Sequence, residues 1–310
     1  MVLGVPGSLV GERNRRSPGG PLVQIYRSEP GRRIVQDWCR GVLDRHLPAA
    51  ERQVVGTSLG HTHLTTVGDG PRVLLLPGTN FGVAASVGLV TELAATHRVT
   101  VPDLPGQPGL SSGVRYRDDR VTRHRRWFAE VQAHLGTEPM VVVGESLGAA
   151  VALCAEPAPR ITGMVLVAPA GLVTARVDPG VLTAALGWTL RRTERWSDRL
   201  LGTMDGGATV PERDRLIEWM TLVARHARTS LAPAPLPTPV LTGWGRTPFR
   251  VLAGAGDRFF PAHRLAVPAR RMLGTETTVV AGAGHLLSHS SSGAVVAAVA
   301  DLHRPGGVTG

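Results

Sequence analysis

Two short stretches of the chain could present a nucleophilic serine. The segments "GESLG" at 144–148 and "GTSLG" at 56–60 both read Gly-x-Ser-x-Gly, the pattern of a serine held on a sharp turn. Glycine makes up 38 of the 310 residues, so the pattern alone carries little weight. Ser146 follows the apolar run "PMVVVG" and precedes a small-residue helical stretch. Ser58 lies between two extended segments, which predicts a plain strand-to-strand turn.

The strand–turn–helix setting favours Ser146 as the nucleophile. The turn holds the hydroxyl clear of the backbone, and the helix that follows directs its N–H groups and positive dipole end at developing negative charge. A serine also needs a base, and the base needs a third group to orient it. The segment "VLAGAGDRFFP" supplies Asp257 and "ETTVVAGAGH" supplies His285. In a parallel sheet these loops leave the same edge, so we expect the three side chains to converge.

Other residues are alternatives for these roles. His61, His63 and His289 are competing bases; the first two lie in an alternating strand and are expected to be half exposed, and His289 is expected to be a polar surface residue. Asp257 could instead cap its own loop or pair with Arg258. The segments "GAGD" and "GAGH" resemble parts of a dinucleotide fingerprint but do not continue to a third glycine, so no nicotinamide or flavin site is predicted.

The elements that would position these residues alternate between strand and helix. Apolar runs such as "RVLLLPG" and "PMVVVG" are typical of a parallel sheet covered on both faces. The pattern predicts a doubly wound, mostly parallel α/β sheet over 34–171 and 246–310. Residues 172–245 interrupt it with at least two helices and hold four of the six tryptophans, which predicts a helical insertion.

The N-terminal part has a different composition. Residues 1–33 are rich in Gly, Pro and Arg without apolar periodicity, so we expect a disordered leader. In the segment that follows, "RIVQDWCRGVLDRHLP", apolar residues recur at helical spacing from Ile34, which predicts a helix that stops at Pro48.

The composition of the chain argues against several classes of protein. The net charge is +10, but every basic residue is Arg and aromatic residues make up only 4%, so we expect no nucleic-acid partner. No apolar run is long enough to span a membrane, and the first twenty residues lack the pattern of a secretory signal, so we expect a cytoplasmic protein. Cys39 and Cys154 are the only cysteines, so neither a disulfide framework nor a cysteine-based metal site is predicted.

These motifs, in this order, resemble the α/β-hydrolase superfamily in its capped, esterase-like branch. The chain order Ser…Asp…His matches that family, and the resemblance implies Ser146 as nucleophile, Asp257 as acid and His285 as base. It also implies the α/β-hydrolase fold, with residues 172–245 as a helical cap.

The resemblance further implies an oxyanion hole. The segment "LLLPGTNFG" occupies the oxyanion loop, where Pro77 replaces the family's usual His. The backbone N–H of Thr79 or Asn80, together with that of Leu147, would hold the oxyanion. The segment "DLPGQPGLS" resembles another family loop with an extra residue between its glycines, and its Asp103 is expected to stabilise a turn.

The reaction implied is hydrolysis of a carboxylic ester through an acyl-enzyme, with a small and apolar substrate and no metal or organic cofactor. Asn80, Phe81 and Glu145 are expected to contact the substrate, and Glu145 to make a structural hydrogen bond or salt bridge beside the nucleophile. The tryptophans of the insertion are consistent with two positions: lining a pocket for an apolar ligand, or packing the insertion onto the core. Two alternatives stay open: a thioester or carbon–carbon bond hydrolase or tailoring enzyme of secondary metabolism on the same triad, and a non-catalytic ligand-binding protein on the same scaffold.

Overall fold

The computed structural model describes residues 22–230 and 232–304, and its strands and helices alternate as the sequence predicts. The strands are β1 (Leu22–Gln24), β2 (Glu51–Thr57), β3 (Gly60–Val67), β4 (Arg72–Leu76), β5 (Arg98–Pro102), β6 (Val114–Tyr116), β7 (Met140–Glu145), β8 (Ile161–Val167), β9 (Phe249–Gly254) and β10 (Thr277–Val280). The helices are α1 (Glu29–His46), α2 (Val87–Ala94), α3 (Arg120–His134), α4 (Leu147–Leu153), α5 (Pro179–Arg191), α6 (Glu194–Met204), α7 (Arg213–His226), α8 (Thr238–Thr242), α9 (Ala262–Leu273), α10 (Leu287–Ser290) and α11 (Ser292–His303), and a 3-10 turn (Val83–Ala85) precedes α2. In these described ranges, no helix combines the length and the apolar character needed to cross a membrane.

Most strands of the main sheet run parallel. Within the described residues this sheet has eight strands in the order β10-β9-β8-β7-β4-β5-β3-β2. Strands β2 and β3 form an antiparallel hairpin, and β3 pairs antiparallel with β5. The other neighbouring strands of this sheet pair in parallel. The doubly wound, mostly parallel α/β sheet is confirmed. Its parallel strands end at one edge, which is where their following loops meet.

The central strands are apolar throughout because both of their faces are buried. In β4, Val73 and Leu75 belong to one hydrophobic core, and Leu74 and Leu76 belong to a second core. Successive side chains of a strand point to opposite faces, so the two cores lie on opposite sides of the sheet. Strands β7 and β8 divide their side chains in the same way. This double burial is the physical cause of the continuous apolar runs in the sequence.

The prediction of a disordered leader over 1–33 is wrong for residues 22–33. Strand β1 pairs antiparallel with β6, and Ile25 and Tyr26 are buried. The Tyr26 hydroxyl donates to the Gly109 carbonyl at 2.9 Å and accepts from the Gly109 N–H at 3.1 Å, 83 positions away. Local composition does not reveal partners at this distance. The rest of the predicted leader lies outside the described residues.

Helix α1 begins ahead of its predicted start at Ile34. Ser28 is the N-cap, and its hydroxyl accepts the N–H of Gly31 at 3.1 Å. Pro30 fits in the first turn because the N–H groups there have no partner within the helix. The order Ser-Glu-Pro is a helix-start signal, and the spacing of apolar residues alone does not include it.

The stretch between β8 and β9 contains α5, α6, α7 and α8, and no strand element lies in the described part of 172–245. Trp219 of α7 stacks on Trp38 with ring centroids 4.9 Å apart. Trp244 packs edge-on against Phe249 at 6.1 Å. These two tryptophans therefore pack the insertion onto the rest of the molecule.

Candidate active site

Ser146 lies on a strained turn between β7 and α4. Its φ of 48° and ψ of −108° fall in a region that residues other than glycine rarely adopt. A Cβ atom on Gly144 would come within 2.6 Å of the Ala149 Cα, and one on Gly148 would overlap the carbonyl oxygen of Leu76. The glycines on both sides of Ser146 are therefore required by the close approach of backbone to backbone.

The second serine motif has a different setting. Ser58 lies in the tight turn of the hairpin between β2 and β3, where Thr57 pairs with Gly60. Its N–H donates to a carboxylate oxygen of Glu130 at 2.7 Å. A strand, not a helix, follows it. The predicted strand-to-strand turn is confirmed.

His285 lies between Ser146 and Asp257. Its Nε2 atom is 3.2 Å from the Ser146 hydroxyl oxygen, and its Nδ1 atom is 2.9 Å from Oδ2 of Asp257. When Nδ1–H donates to the carboxylate, Nε2 presents a lone pair to the hydroxyl, which is the tautomer that a general base requires. The loops after β7, β9 and β10 thus bring together the three side chains that the sequence predicts to converge.

Asp257 is held as an oriented, ionised carboxylate. Burial by itself raises the pKa of this carboxyl, but the facing His285 and two backbone hydrogen bonds outweigh burial and lower the pKa overall. The N–H groups of Phe259 and Phe260 donate to Oδ1 at 2.8 and 2.9 Å, which leaves Oδ2 for the imidazole. Asp257 therefore caps its own loop and orients His285 at the same time.

Arg258, the alternative partner expected for Asp257, pairs with a different residue. Arg258 forms two hydrogen bonds to Asp178, the N-cap of α5, at 2.6 and 2.9 Å. This ion pair joins the loop after β9 to the insertion, and it leaves Asp257 to His285.

Asp103 stabilises the loop in which it lies. Its carboxylate oxygens accept the N–H of Val83 at 2.9 Å and of Leu110 at 2.8 Å, and its carbonyl accepts the Ser111 hydroxyl at 2.6 Å. Both carboxylate oxygens are therefore used by the backbone. The expected turn-stabilising position of Asp103 is confirmed.

The competing histidines are placed differently from the sequence expectation. In β3, His61 is exposed and His63 is buried, so the expectation that both are half exposed is wrong; the residues from Thr62 to Thr65 are all buried, so both faces of β3 are covered there. His289 is half-buried and not an open surface residue: it lines a pocket and packs against Phe81, with ring centroids 5.5 Å apart. Burial, and then the charge of Arg215, lower the pKa of His289 to about 4, so this ring is neutral at pH 7.

The backbone after β4 distinguishes the two expected oxyanion donors. The N–H of Asn80 already donates to Oε1 of Gln107 at 2.9 Å. Among residues 22–230 and 232–304, neither the N–H of Thr79 nor that of Leu147 donates a hydrogen bond. Leu147 opens α4, where N–H groups have no partner within the helix. This pattern favours Thr79 over Asn80 as the partner of Leu147.

The insertion is attached to three of the loops that carry the site, those after β4, β9 and β10. Three contacts make this attachment: Trp219 Nε1 to the Asn80 carbonyl (2.8 Å), Arg258 to Asp178 (2.6 Å) and the His285 N–H to the Met204 carbonyl (2.6 Å). These contacts join residues that lie tens of positions apart or more, so spacing in the sequence does not predict them. The helices of the insertion therefore help to set the positions of the site loops.

A cavity of about 370 Å³ is lined by both Ser146 and His285. Its lining from the insertion is mostly apolar and includes Val181, Leu182, Leu186, Trp188, Leu200 and Met220. The expected contact residues Asn80, Phe81 and Glu145 also line it, as do Thr79, Ser288 and His289. In the part of the chain that the structure describes, no group of three or more His, Cys, Asp or Glu side chains is arranged to hold a metal ion.

Glu145 is buried beside Ser146, with only 7% of its surface exposed. Burial raises the pKa of this carboxyl to about 7, and a hydrogen bond from Ser288 and the charge of His285 act in the opposite direction. Of the two contacts expected for Glu145, the hydrogen bond is therefore the one found. Its Oε1 atom has no hydrogen-bond partner among the described residues.

A model of the alpha/beta hydrolase family matches residues 73–299, which is well over half of the chain. The chain belongs to the alpha/beta hydrolase family. The matched range includes the turn of Ser146 and the loops of Asp257 and His285.

Several known proteins are similar to this hydrolase. The magnesium-chelatase 30 kDa subunit of Rhodobacter capsulatus is 28% identical over 266 residues, which cover 77% of this chain and 89% of that protein. A carboxylesterase of Bacillus subtilis has a TM-score of 0.72 at 20% identity, covering 88% of this chain and 98% of its own. The 2-hydroxy-6-oxo-6-phenylhexa-2,4-dienoate hydrolase of Rhodococcus sp. strain RHA1 has a TM-score of 0.64 at 20% identity, covering 83% and 100%. The structural likeness establishes the fold, and the family supports a hydrolase.

Proposed function

We propose that this hydrolase cleaves a carboxylic ester through an acyl-enzyme formed on Ser146. The observation that carries the proposal is the continuous hydrogen-bonded chain from Asp257 through His285 to the Ser146 hydroxyl, with distances of 2.9 and 3.2 Å. A serine hydroxyl is a weak nucleophile unless a base takes its proton, and this chain provides the base and its orienting carboxylate.

In the first half of the reaction, Nε2 of His285 removes the hydroxyl proton as the Ser146 oxygen attacks the acyl carbon. The N–H groups of Thr79 and Leu147 donate to the oxyanion that develops on the carbonyl. His285 then passes the proton to the departing alcohol. Asp257, whose pKa is held low, stays ionised and stabilises the imidazolium during these steps.

In the second half, His285 removes a proton from a water molecule, which attacks the acyl group. The acid product leaves as Ser146 regains its proton. Side chains, backbone N–H groups and water are sufficient for each step.

The cavity supports a small substrate with an apolar part. Its volume of about 370 Å³ lies in the range of ligand pockets in proteins. Apolar side chains of α5, α6 and α7 form much of its wall, which is the arrangement expected if the insertion acts as a cap. Asn80, Phe81 and Glu145 line the same cavity, and we propose that they contact the substrate.

A fluorophosphonate probe tests the proposal directly. It should label the wild type and Ser58→Ala, but not Ser146→Ala, because labelling needs an activated serine. Absence of labelling in the wild type would instead support a ligand-binding protein on the same scaffold. A panel of oxygen esters and thioesters of graded acyl length then separates ester hydrolysis from the related reactions, and a preference for oxygen esters is the expected result.

A further inference from the structure

Helix α5 of the insertion is apolar on its outward face as well as on its inward face. Inward side chains such as Val181 and Trp188 are buried. The outward face carries three leucines four positions apart, which we call the leucine row: Leu182, Leu186 and Leu190. They expose 49%, 51% and 72% of their surface, respectively. The outward face of a helix in contact with water is normally polar, so this face is an exception.

The exposed apolar side chains of the chain are concentrated at this helix. Nine large apolar side chains of the described ranges are exposed, and four of them lie between Val177 and Leu190. Exposed apolar side chains that stand alone are normal, whereas a contiguous patch of them marks a binding surface. Helix α5 contains no acidic residue, and its one charged residue is Arg191 at its end. The leucine row therefore has the composition of a contact surface.

A group of arginines adjoins the C-terminal end of the leucine row. We call it the arginine cluster, and its members are Arg27, Arg192, Arg225 and Arg228. Arg192 is the C-cap of α5, and its carbonyl accepts the Nε–H of Arg225 at 3.0 Å. Arg228 donates to the carbonyl of Tyr26, the residue before Arg27, at 3.3 Å. Burial, and then the charges of Arg192 and Arg228, lower the pKa of Arg27, which shows that these charges lie close together.

Within the described residues, no carboxylate forms a salt bridge with the arginine cluster. The acidic side chains of the insertion that form salt bridges pair instead with Arg213, Arg215 and Arg258. Glu194 is the single acidic residue from 179 to 197. Arginine guanidinium groups are planar and bind phosphate oxygens well. The charge of this surface therefore fits an anionic partner.

We propose that the leucine row and the arginine cluster together dock this hydrolase onto an anionic lipid surface. The boundary of a bilayer buries the apolar side chains of a helix that lies in its plane, and anionic lipid headgroups attract the arginines beside it. The protein then lies on the membrane and does not span it. Docking does not require the proposed ester hydrolysis, so the two proposals can be tested separately.

The position of the cavity favours a lipid partner over a protein. Val177, Leu182 and Leu186 are exposed to solvent and also line the cavity that Ser146 lines, so they lie at its mouth. The leucine row therefore runs from the mouth of the cavity to the arginine cluster. A folded protein bound across this row would close the mouth. A lipid surface is fluid, and it can supply an apolar molecule to the cavity.

Sedimentation of the full chain with vesicles tests the proposal. Vesicles of phosphatidylcholine with about 30% phosphatidylglycerol should bind the wild type at least about tenfold more tightly than phosphatidylcholine alone. Leu190→Gln should weaken this binding about tenfold, because it removes an exposed apolar side chain from the row. Leu190 does not line the cavity, so hydrolysis of a dissolved ester should not change. Val54→Gln is the matched control and should bind like the wild type, since Val54 is 64% exposed on β2, at an edge of the main sheet.

A second pair of variants separates docking from the general attraction of a chain with a net charge of +10. Arg27→Gln/Arg191→Gln removes two charges beside the leucine row. Arg264→Gln/Arg271→Gln removes two exposed charges on α9 and leaves the same net charge. The first variant should bind anionic vesicles about tenfold more weakly than the second. Equal binding by the two variants, or no binding of anionic vesicles by the wild type, overturns the proposal.

An environment-sensitive label identifies the face that meets the lipid. Leu190→Cys with a nitrobenzoxadiazole label should show a blue-shifted emission when anionic vesicles are added, and Val54→Cys with the same label should not. The native cysteines, Cys39 and Cys154, are buried. A blue shift at both positions, or at neither, would contradict docking through the leucine row.

Sedimentation equilibrium tests the alternative in which a second copy of this chain covers the leucine row. The wild type and Leu190→Gln should have the same molecular mass without lipid. If the wild type is a dimer and Leu190→Gln is a monomer, the leucine row is a subunit interface and lipid docking is wrong.

Discussion

Oδ2 of Asp257 lies 2.9 Å from Nδ1 of His285, the ring nitrogen that faces away from Ser146. Asp257→Asn should lower the acylation rate by about three to four orders of magnitude. The amide can hold the imidazole in the wrong tautomer, and it cannot stabilise an imidazolium by charge. The fold should persist, since an oxygen remains for the N–H groups of Phe259 and Phe260. Pre-steady-state kinetics and melting temperature on the same samples check both statements.

Asp103→Asn is the matched comparison, and it should act mainly on stability. Both carboxylate oxygens of Asp103 accept backbone N–H groups, so an amide would place an NH₂ against one of these donors. A loss of about 1–3 kcal/mol in the free energy of unfolding is expected, with the rate nearly unchanged. If Asp103→Asn abolishes turnover in a folded protein and Asp257→Asn does not, the acid has been assigned to the wrong strand.

Ser146→Ala should lower kcat for an activated ester by several orders of magnitude, whereas Ser58→Ala should leave it nearly unchanged. The reason is position: Ser146 faces the imidazole at 3.2 Å, and Ser58 lies in a hairpin turn. Steady-state kinetics on the two purified proteins compare them. Similar activity in both would remove Ser146 from its proposed role.

Deletion of residues 1–33 should destabilise the protein strongly, compared with a deletion that stops before Leu22. The longer deletion removes the buried Ile25 and Tyr26, and burial of side chains of this size contributes about 1.5–3 kcal/mol each. Tyr26→Phe is a milder variant, because it removes only the hydroxyl that bonds to Gly109 in both directions. Its expected cost is about 1–2 kcal/mol. Urea unfolding compares the three proteins; equal midpoints for the two deletions would contradict the prediction.

The stability of this hydrolase should depend on pH through Glu145. Burial raises the pKa of Glu145 to about 7 in the folded chain, above its ordinary value of 4.5. The folded state therefore binds this proton more tightly than the unfolded state does. The free energy of unfolding should fall as the pH rises from 4.5 to 7, by roughly 3 kcal/mol for this group, and stay low above that pH.

Glu145→Gln should remove this dependence, because an amide does not titrate. The variant should be close to the wild type at pH 5 and more stable than the wild type at pH 8. Urea unfolding at pH 5 and at pH 8 gives the difference in the free energy of unfolding between the variant and the wild type. The contributions of other titrating groups are common to both proteins and cancel in this difference. If this difference in the free energy of unfolding is the same at pH 5 and at pH 8, Glu145 does not change its charge in this range.

Local sequence by itself determined the alternation of strands and helices. A strand buried on both faces is apolar throughout, whereas a helix buried on one face is apolar at every third or fourth position, so β4 and β7 were recognisable from their own residues. The turn at Ser146 was recognisable for the same reason, since its two glycines lie within two positions of the serine. The order of Asp257 and His285 along the chain, with parallel strands before each, was enough to predict that they converge on Ser146.

Only the tertiary structure decided which polar groups are already paired. Thr79 and Asn80 are equivalent donors in the sequence, and it is Gln107, 27 positions later, that takes the N–H of Asn80. The order of residues near Tyr26 likewise gives no sign of Gly109, 83 positions away. The segment around Tyr26 is buried because it packs against loops that are distant in the sequence. Such packing leaves no repeating pattern of residues that could be recognised beforehand. The unpaired Oε1 atom of Glu145 is visible for the same reason only in the folded chain, where its neighbours are known.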